Sequence, residues 1–145
     1  IKCNEIDETQ SRTKLKHLKK GSIVNVERSI TSSTEIGGHL MSGHIHFKGN
    51  IKKIICKEST KDIIVGFPKK YGEYIFEKGY IGVNGCSLTL GKVNKDSFYL
   101  HLIPETLSVT NLDILSVKSI VNIEIDQSTI TTVETVKNIL AAQKS

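Results

Sequence analysis

Twenty residues near the start of the chain return near its end. Glu8–Glu27 reads ETQSRTKLKHLKKGSIVNVE and Glu105–Glu124 reads ETLSVTNLDILSVKSIVNIE. Eleven of the twenty pairs are identical, and every pair is 97 positions apart. Repeats that build solenoids run to about 20–50 residues, so a period this long marks a duplicated domain. The first copy is then represented by its tail, to about Ser29, and the second copy is whole, ending near Asp126. By the repeat length, about 65–70 residues of the first copy are expected ahead of Ile1 in a two-repeat protein.

Within the second copy the pattern is short strands and tight turns. Ile30–Glu35 (ITSSTE) is a polar connector, and Gly37-Gly38 opens the repeat. His44–Phe47 alternates as a strand, Gly49-Asn50 reads as a turn, and Ile51–Cys56 reads as the next strand. Lys61–Phe67 is β-branched and apolar, and Pro68 ends it. Tyr71–Lys78 suits a short helix stopped by Gly79. Lys78–Gly91 (KGYIGVNGCSLTLG) holds an Asn84-Gly85 turn between two strands, the strongest short-range hairpin signal, because a type I′ turn needs two residues at positive φ. Ser97–Ile103 is a further strand, Pro104–Leu107 a helical turn led by proline, and Ser119–Ile125 the last strand. About six short strands in about 90 residues predict an all-β, closed antiparallel barrel. Thr131–Ala142 then places Val133, Val136, Ile139 and Leu140 on one helix face, which must pack on the barrel or on copies of the chain.

Composition removes several classes of function. The net charge is +5, but the lysines are spread, only Arg12 and Arg28 carry guanidinium, and there is no Trp. A nucleic-acid surface interleaves arginine with aromatics, so no nucleic-acid partner is expected. No apolar run reaches the length of a membrane span, so no membrane partner is expected. Cys3, Cys56 and Cys86 are an odd number without C-x-x-C spacing. They point away from a disulfide scaffold or zinc site and toward a reducing compartment. Ile1–Glu5 has no basic-then-apolar secretory pattern, and a cytoplasmic location is the expectation.

Two stretches can carry chemistry. After the Asn84-Gly85 turn, Ser87 and Thr89 alternate with Cys86, Leu88 and Leu90, which puts the hydroxyls on one strand face. Gly37–His46 (GGHLMSGHIH) combines backbone-exposing glycines with His44 and His46 on one strand face. H-x-H without a third ligand is a poor metal site, whereas a neutral imidazole suits abstraction of a weakly acidic proton. No nucleophile elbow, P-loop or dinucleotide fingerprint is present. Read from its residues alone, the chain is a small barrel with a hydroxyl- and histidine-lined patch fit for a polar small molecule.

GGHLMSGHI (Gly37–Ile45), KGYIGVNGCSLTLGKV (Lys78–Val93), HLIPETL (His101–Leu107) and VNIEID (Val121–Asp126) together resemble the riboflavin synthase family of the alpha-chain type. The resemblance runs in order along essentially the whole chain. It implies tandem six-stranded antiparallel Greek-key barrels, the first incomplete here, followed by a C-terminal α-helix that assembles a homotrimer. The organisation it implies is residues 1–29 as the tail of the first lumazine-binding barrel, 30–36 as linker, 37–126 as the second barrel and 127–145 as the trimerisation helix. The implied activity is a transferase reaction, the last step of riboflavin biosynthesis. Two molecules of 6,7-dimethyl-8-ribityllumazine dismutate to riboflavin and 5-amino-6-ribitylamino-uracil, without cofactor or metal. The alternative within the same fold is a non-catalytic, fluorophore-carrying lumazine protein. Lumazine synthase is a further candidate partner. By the same resemblance Gly43, His44, Ile45, Lys78, Ser87, Leu88, Thr89, Ile103, Pro104, Glu105, Thr106, Leu107 and Ser108 contact the lumazine. His44, Thr89 and Ser87 would assist removal of its C7-methyl proton. The chain departs from the resemblance at Asn84, where the C-terminal barrel usually carries Asp: Asn keeps the turn and removes a carboxylate.

Overall fold

The computed structural model describes residues 7–27 and 29–144; Cys3 and Arg28 lie outside them. The first elements are a short helix α1 (Asp7–Arg12) and a 3-10 turn at Leu15–His17. Then come strands β1 (Phe47–Cys56) and β2 (Lys61–Gly66), a 3-10 turn (Lys69–Tyr74), and strands β3 (Tyr80–Val83), β4 (Cys86–Val93) and β5 (Ser97–Leu102). A short helix α2 (Pro104–Val109), strand β6 (Ile120–Ile125) and helix α3 (Gln127–Ala142) complete the chain. The strands close a barrel in the order β1-β2-β5-β4-β3-β6, every pair antiparallel. Closure leaves no free sheet edge.

Strand alternation builds the core. Phe98, Leu100 and Leu102 of β5 point inward, as do Val121, Ile123 and Ile125 of β6, with Ile63 and Val65 from β2 and Ile81 and Val83 from β3. Each such side chain contributes roughly 1.5–3 kcal/mol by leaving water. The Asn84-Gly85 turn forms as expected, with φ of 50° and 81°.

The region expected to be two strands around a Gly49-Asn50 turn is instead the single strand β1. Gly49 is there for packing. A Cβ on it would stand 2.8 Å from Val65 Cγ1 and 3.2 Å from Ile123 Cγ1, so the missing side chain lets two core residues approach β1. His44 accordingly lies ahead of the strand. The helix expected at Tyr71–Lys78 is the shorter 3-10 turn at Lys69–Tyr74, and Lys78 adopts a left-handed φ of 67° just before Gly79.

The duplicated segment repeats its local structure as well as its letters. Helices α1 and α2 begin and end 97 residues apart. In the first copy Thr13 Oγ1 donates to the Thr9 carbonyl (2.7 Å), and in the second Thr110 Oγ1 donates to Thr106 (2.6 Å). The Ser22 hydroxyl accepts from Lys19 N (2.9 Å), as Ser119 does from Ser116 N (3.0 Å). The copies also hold one another: Lys14 N donates to Asn122 Oδ1 at 2.8 Å, and its counterpart Asn111 N donates to Asn25 Oδ1 at 2.7 Å.

Asn84 belongs to this junction. Its Oδ1 accepts from Asn122 N (3.0 Å) and its Nδ2 donates to Asn111 Oδ1 (3.3 Å). An amide meets both demands, whereas a carboxylate would set acceptor against acceptor. The Asn of this turn is therefore used structurally.

Helix α3 is capped by Asp126, whose carboxylate accepts from Thr129 N (2.9 Å) and from the Ser128 hydroxyl. Glu134 bonds the Tyr74 hydroxyl, and Lys137 pairs with Glu73 and Glu134, tying α3 to the 3-10 turn. Ile130 packs against the barrel core, while Val136, Ile139 and Leu140 stay about half exposed. The residue of α3 that meets the core, Ile130, thus lies ahead of the expected apolar stripe.

Candidate functional site: the outer face of strands β3, β4 and β5

Inward apolar residues on β3, β4 and β5 oblige the intervening ones to face outward. Tyr80 pairs with Thr89 and Gly82 with Ser87 across β3–β4, and Leu90 pairs with Leu100 across β4–β5. Thr89 and His101 therefore flank the Leu90–Leu100 pair on the same outer face. Lys78 lies in the turn ahead of β3, where its N–H donates to the Leu90 carbonyl at 2.9 Å. Of the expected residues, Ser87 and Thr89 thus share the outer face of β4, and Lys78 is tied to the same strand through its main chain. Ile103 follows directly at the end of β5, its side chain exposed, and begins the turn into α2. Pro104, Glu105, Thr106, Leu107 and Ser108 make up α2, where Ser108 Oγ donates back to the Glu105 carbonyl at 2.8 Å. Leu88 differs from its neighbours: its side chain packs toward the core, so it presents only main chain to this face.

The segment Gly37–Gly43 lies across the β3–β4 hairpin. Ser87 Oγ accepts the His39 N–H (3.1 Å) and stands 2.6 Å from His39 Nδ1, and the imidazole stacks on Tyr80 with ring centres 5.3 Å apart. Gly38, at φ 122°, passes so close over Ser87 that a Cβ would collide with the hydroxyl. Met41 seats its sulfur against Gly82. The segment is anchored by the buried Glu124 carboxylate, which accepts from Ser42 N (2.6 Å), Ser42 Oγ (3.0 Å) and Gly43 N (3.0 Å). Successive main-chain N–H groups around an anion are a strong arrangement.

The three expected imidazole and hydroxyl partners are not joined to one another. His44 is exposed, and its Nδ1 lies 3.0 Å from Ser42 Oγ rather than beside Thr89. Among the described residues, no hydrogen bond links His44 to Thr89 or Ser87. His46, expected on a face with His44, instead accepts the Ile125 N–H on its Nδ1 at 3.1 Å. Burial pushes its pKa below the ordinary histidine value, with the Glu124 carboxylate opposing the shift. Ile45 is half-buried and Gly43 turns at φ 81°.

A further imidazole on this face, His101, stands in the sequence as the first letter of HLIPETL. His101 Nδ1 lies 2.7 Å from Asp62 Oδ1, and Asp62 Oδ2 pairs with Lys57 Nζ at 2.7 Å. Asp62 is buried, and its hydrogen bonds to Lys57 and His101 hold its carboxyl below the usual carboxylate range. The other side of the imidazole leans over Gly91, where a Cβ would meet Nε2 at 2.7 Å. Alternation along SFYLHL, with Tyr99 and His101 outward, is the signal that would have found it.

The model of the lumazine binding domain matches residues 42–126. The riboflavin synthase of Escherichia coli (strain K12) is 45% identical over 139 residues, covering 95% of this chain and 65% of that protein. The riboflavin synthase of Chlamydia pneumoniae is 41% identical over 147 residues, covering 97% of this chain and 72% of that one. The chain thus spans about two thirds of the length of these relatives. Among solved structures, LumP complexed with 6,7-dimethyl-8-(1'-D-ribityl) lumazine superposes with a TM-score of 0.74 at 26% identity, over 83% of this chain and 64% of that one. LumP complexed with riboflavin gives 0.75 at 27% identity, over 83% and 65%.

Proposed function

The chain belongs to the lumazine-binding domain family, and from that membership we propose that it is part of a riboflavin synthase. The observation that carries the reading is the 45% identity to a riboflavin synthase across 95% of the chain. The reaction is the dismutation of two 6,7-dimethyl-8-ribityllumazine molecules, one giving a four-carbon unit to the other.

The ligand sits on the outer face of β3, β4 and β5. Lys78, Ser87, Thr89 and Ile103 line it, together with Gly43–Ile45, the main chain at Leu88, and α2 from Pro104 to Ser108. Hydroxyls, main-chain groups and an ammonium suit a heterocycle rich in carbonyl and ring-nitrogen partners and a polyol side chain. The ligand's C7 methyl is acidic because its carbanion delocalises into the ring. Thr89 and Ser87 serve that step with a neighbouring imidazole. His44 is the imidazole assigned by resemblance, and it must first leave Ser42. Alignment of two bound substrates supplies an effect worth up to about 7–11 kcal/mol.

Helix α3 makes a homotrimer through Val136, Ile139 and Leu140, and the protein works in the cytoplasm, with lumazine synthase as a candidate partner. No helix among the described residues is long and apolar enough to cross a membrane.

The reading is tested by titrating the chain with 6,7-dimethyl-8-ribityllumazine and following ligand fluorescence, then assaying riboflavin formation with the protein at its relatives' full length. Saturable binding with riboflavin formation is expected. Binding without product would favour a fluorophore carrier, a reading supported by the likeness to LumP complexed with lumazine and with riboflavin. Absence of binding would end both.

A further inference from the structure

A histidine becomes a directed base when a carboxylate holds one ring nitrogen and leaves the other facing a reactant. His101 has that arrangement. Asp62 is buried, anchored on its far oxygen by Lys57, and bonded through Oδ1 to His101 Nδ1 at 2.7 Å. The carboxylate fixes the proton on Nδ1, which leaves the Nε2 lone pair free. Among the described residues Nε2 has no hydrogen-bond partner. The ring leans over Gly91, the one outward position of β4 without a side chain, two residues beyond Thr89 on the same strand face. Any larger residue at 91 would occupy the space of Nε2. His44, by contrast, is engaged locally by Ser42.

Resting on the lumazine-binding reading above, we propose that His101, positioned by Asp62, is the imidazole that accepts the ligand's C7-methyl proton beside Thr89. The C–H bond breaks and its electron pair passes into the ligand's ring system. The proton forms a new N–H bond at Nε2, and the resulting imidazolium is held by Asp62 through Nδ1. Return of the same proton, or of a solvent deuteron after exchange, restores both partners without any oxidant or co-reactant. His101 is the catalytic residue in this scheme, and Asp62 is a positioning residue.

The test is exchange of the C7-methyl protons of bound 6,7-dimethyl-8-ribityllumazine into heavy water, read by proton NMR, with affinity measured separately by fluorescence titration. The unsubstituted chain is measured first, and failure to bind the ligand at that stage refutes the family reading itself. With binding in hand, His101→Gln is expected to slow exchange about 100-fold, the scale of a general base, while affinity stays within about threefold. Asp62→Asn should slow exchange by about tenfold with affinity again retained, a split that a merely structural carboxylate would not give. Gly91→Ala, which keeps the histidine but pushes its ring aside, should slow exchange as His101→Gln does. Exchange within twofold of the unsubstituted chain in His101→Gln overturns the proposal. If that variant fails to fold by circular dichroism, Gly91→Ala decides: undiminished exchange overturns the proposal, and slowed exchange with retained affinity supports it.

Discussion

Asn25 and Asn122 hold the same position in the two copies of the repeat, and each accepts a hydrogen bond from the main chain of the other copy. Asn25 Oδ1 takes the Asn111 N–H at 2.7 Å, and Asn122 Oδ1 takes the Lys14 N–H at 2.8 Å. Donors and acceptors are both 97 residues apart, so the two bonds are exchanged by a local twofold relation. A self-complementary contact of this kind is what two copies of one surface produce when they meet face to face.

This junction predicts an asymmetric response to mutation. Asn25 also donates to the Asn84 carbonyl (2.9 Å) and to Asn111 Oδ1 (3.2 Å), so it fastens residues 7–27 to an already complete barrel. Asn25→Ala should release that segment, and amide exchange of Ile23–Val26 should accelerate while β2 and β5 keep their protection. Asn122→Ala should cost the barrel itself about 1–3 kcal/mol, because it leaves the Lys14 N–H unpaired and empties the buried space that the Asn122 side chain fills in β6. Equal loss of protection in β2 and β5 from both variants would contradict this account.

A second contrast separates the copies energetically. Val26 and Ile123 occupy equivalent positions, yet Ile123 is fully buried in the barrel while Val26 is 60% exposed. The same sequence pattern contributes core energy only where strand partners surround it. Ile123→Ala should destabilise the chain by about 2–5 kcal/mol, and Val26→Ala by less than about 0.5 kcal/mol. Urea denaturation of both variants checks the ratio; comparable losses would mean that the first copy is packed as well as the second.

These comparisons also define what could be read in the letters. The barrel was legible because strand alternation and the Asn84-Gly85 turn are local, and local backbone preference decides them. Gly49 was misread because a glycine inside a strand looks like a turn until Val65 and Ile123 are seen against it. The site was legible where its members share one strand, as Ser87 and Thr89 do. It was opaque where contacts join distant residues: His39 to Ser87, Ser42 to Glu124 and His101 to Asp62 are 48, 82 and 39 positions apart. His44 drew attention as part of a motif, yet its imidazole is engaged by Ser42, two residues away.

Stability should depend on pH through His46. Its Nδ1 accepts the Ile125 N–H, which requires the neutral ring, and burial lowers its pKa below the ordinary histidine value of about 6.5. The folded state therefore binds this proton less readily than the unfolded chain does. The contribution is complete above about pH 6.5 and is lost as pH falls through the lower folded value. Thermal melts should show declining stability from neutral pH toward pH 5. His46→Asn, which keeps an acceptor near Nδ1 but cannot titrate, should flatten that part of the profile. An unchanged slope in the variant would assign the dependence to other groups.

The duplication finally identifies a stabilising substitution. Gly21 and Lys118 are equivalent, and both adopt left-handed backbone, at φ 92° and 73°. Each precedes the serine that closes the turn, with Ser22 N bonded to the Lys19 carbonyl at 2.9 Å and Ser119 N to Ser116 at 3.0 Å. A left-handed conformation costs an L-residue about 1–2 kcal/mol, and glycine escapes that cost. Lys118 meets it without compensation from its exposed side chain: its N–H bonds the Ile51 carbonyl at 2.8 Å, and that bond belongs to the main chain alone. Glycine in the unfolded chain loses about 0.5–1 kcal/mol of the gain through its larger conformational freedom. Lys118→Gly should therefore stabilise the barrel by about 0.5–1 kcal/mol, read as a higher denaturation midpoint at unchanged slope. Lys118→Ala, which keeps the Cβ, should bring no such gain. A neutral or destabilising Lys118→Gly would show that the lysine side chain, rather than the backbone it strains, is what the second copy has kept at this turn.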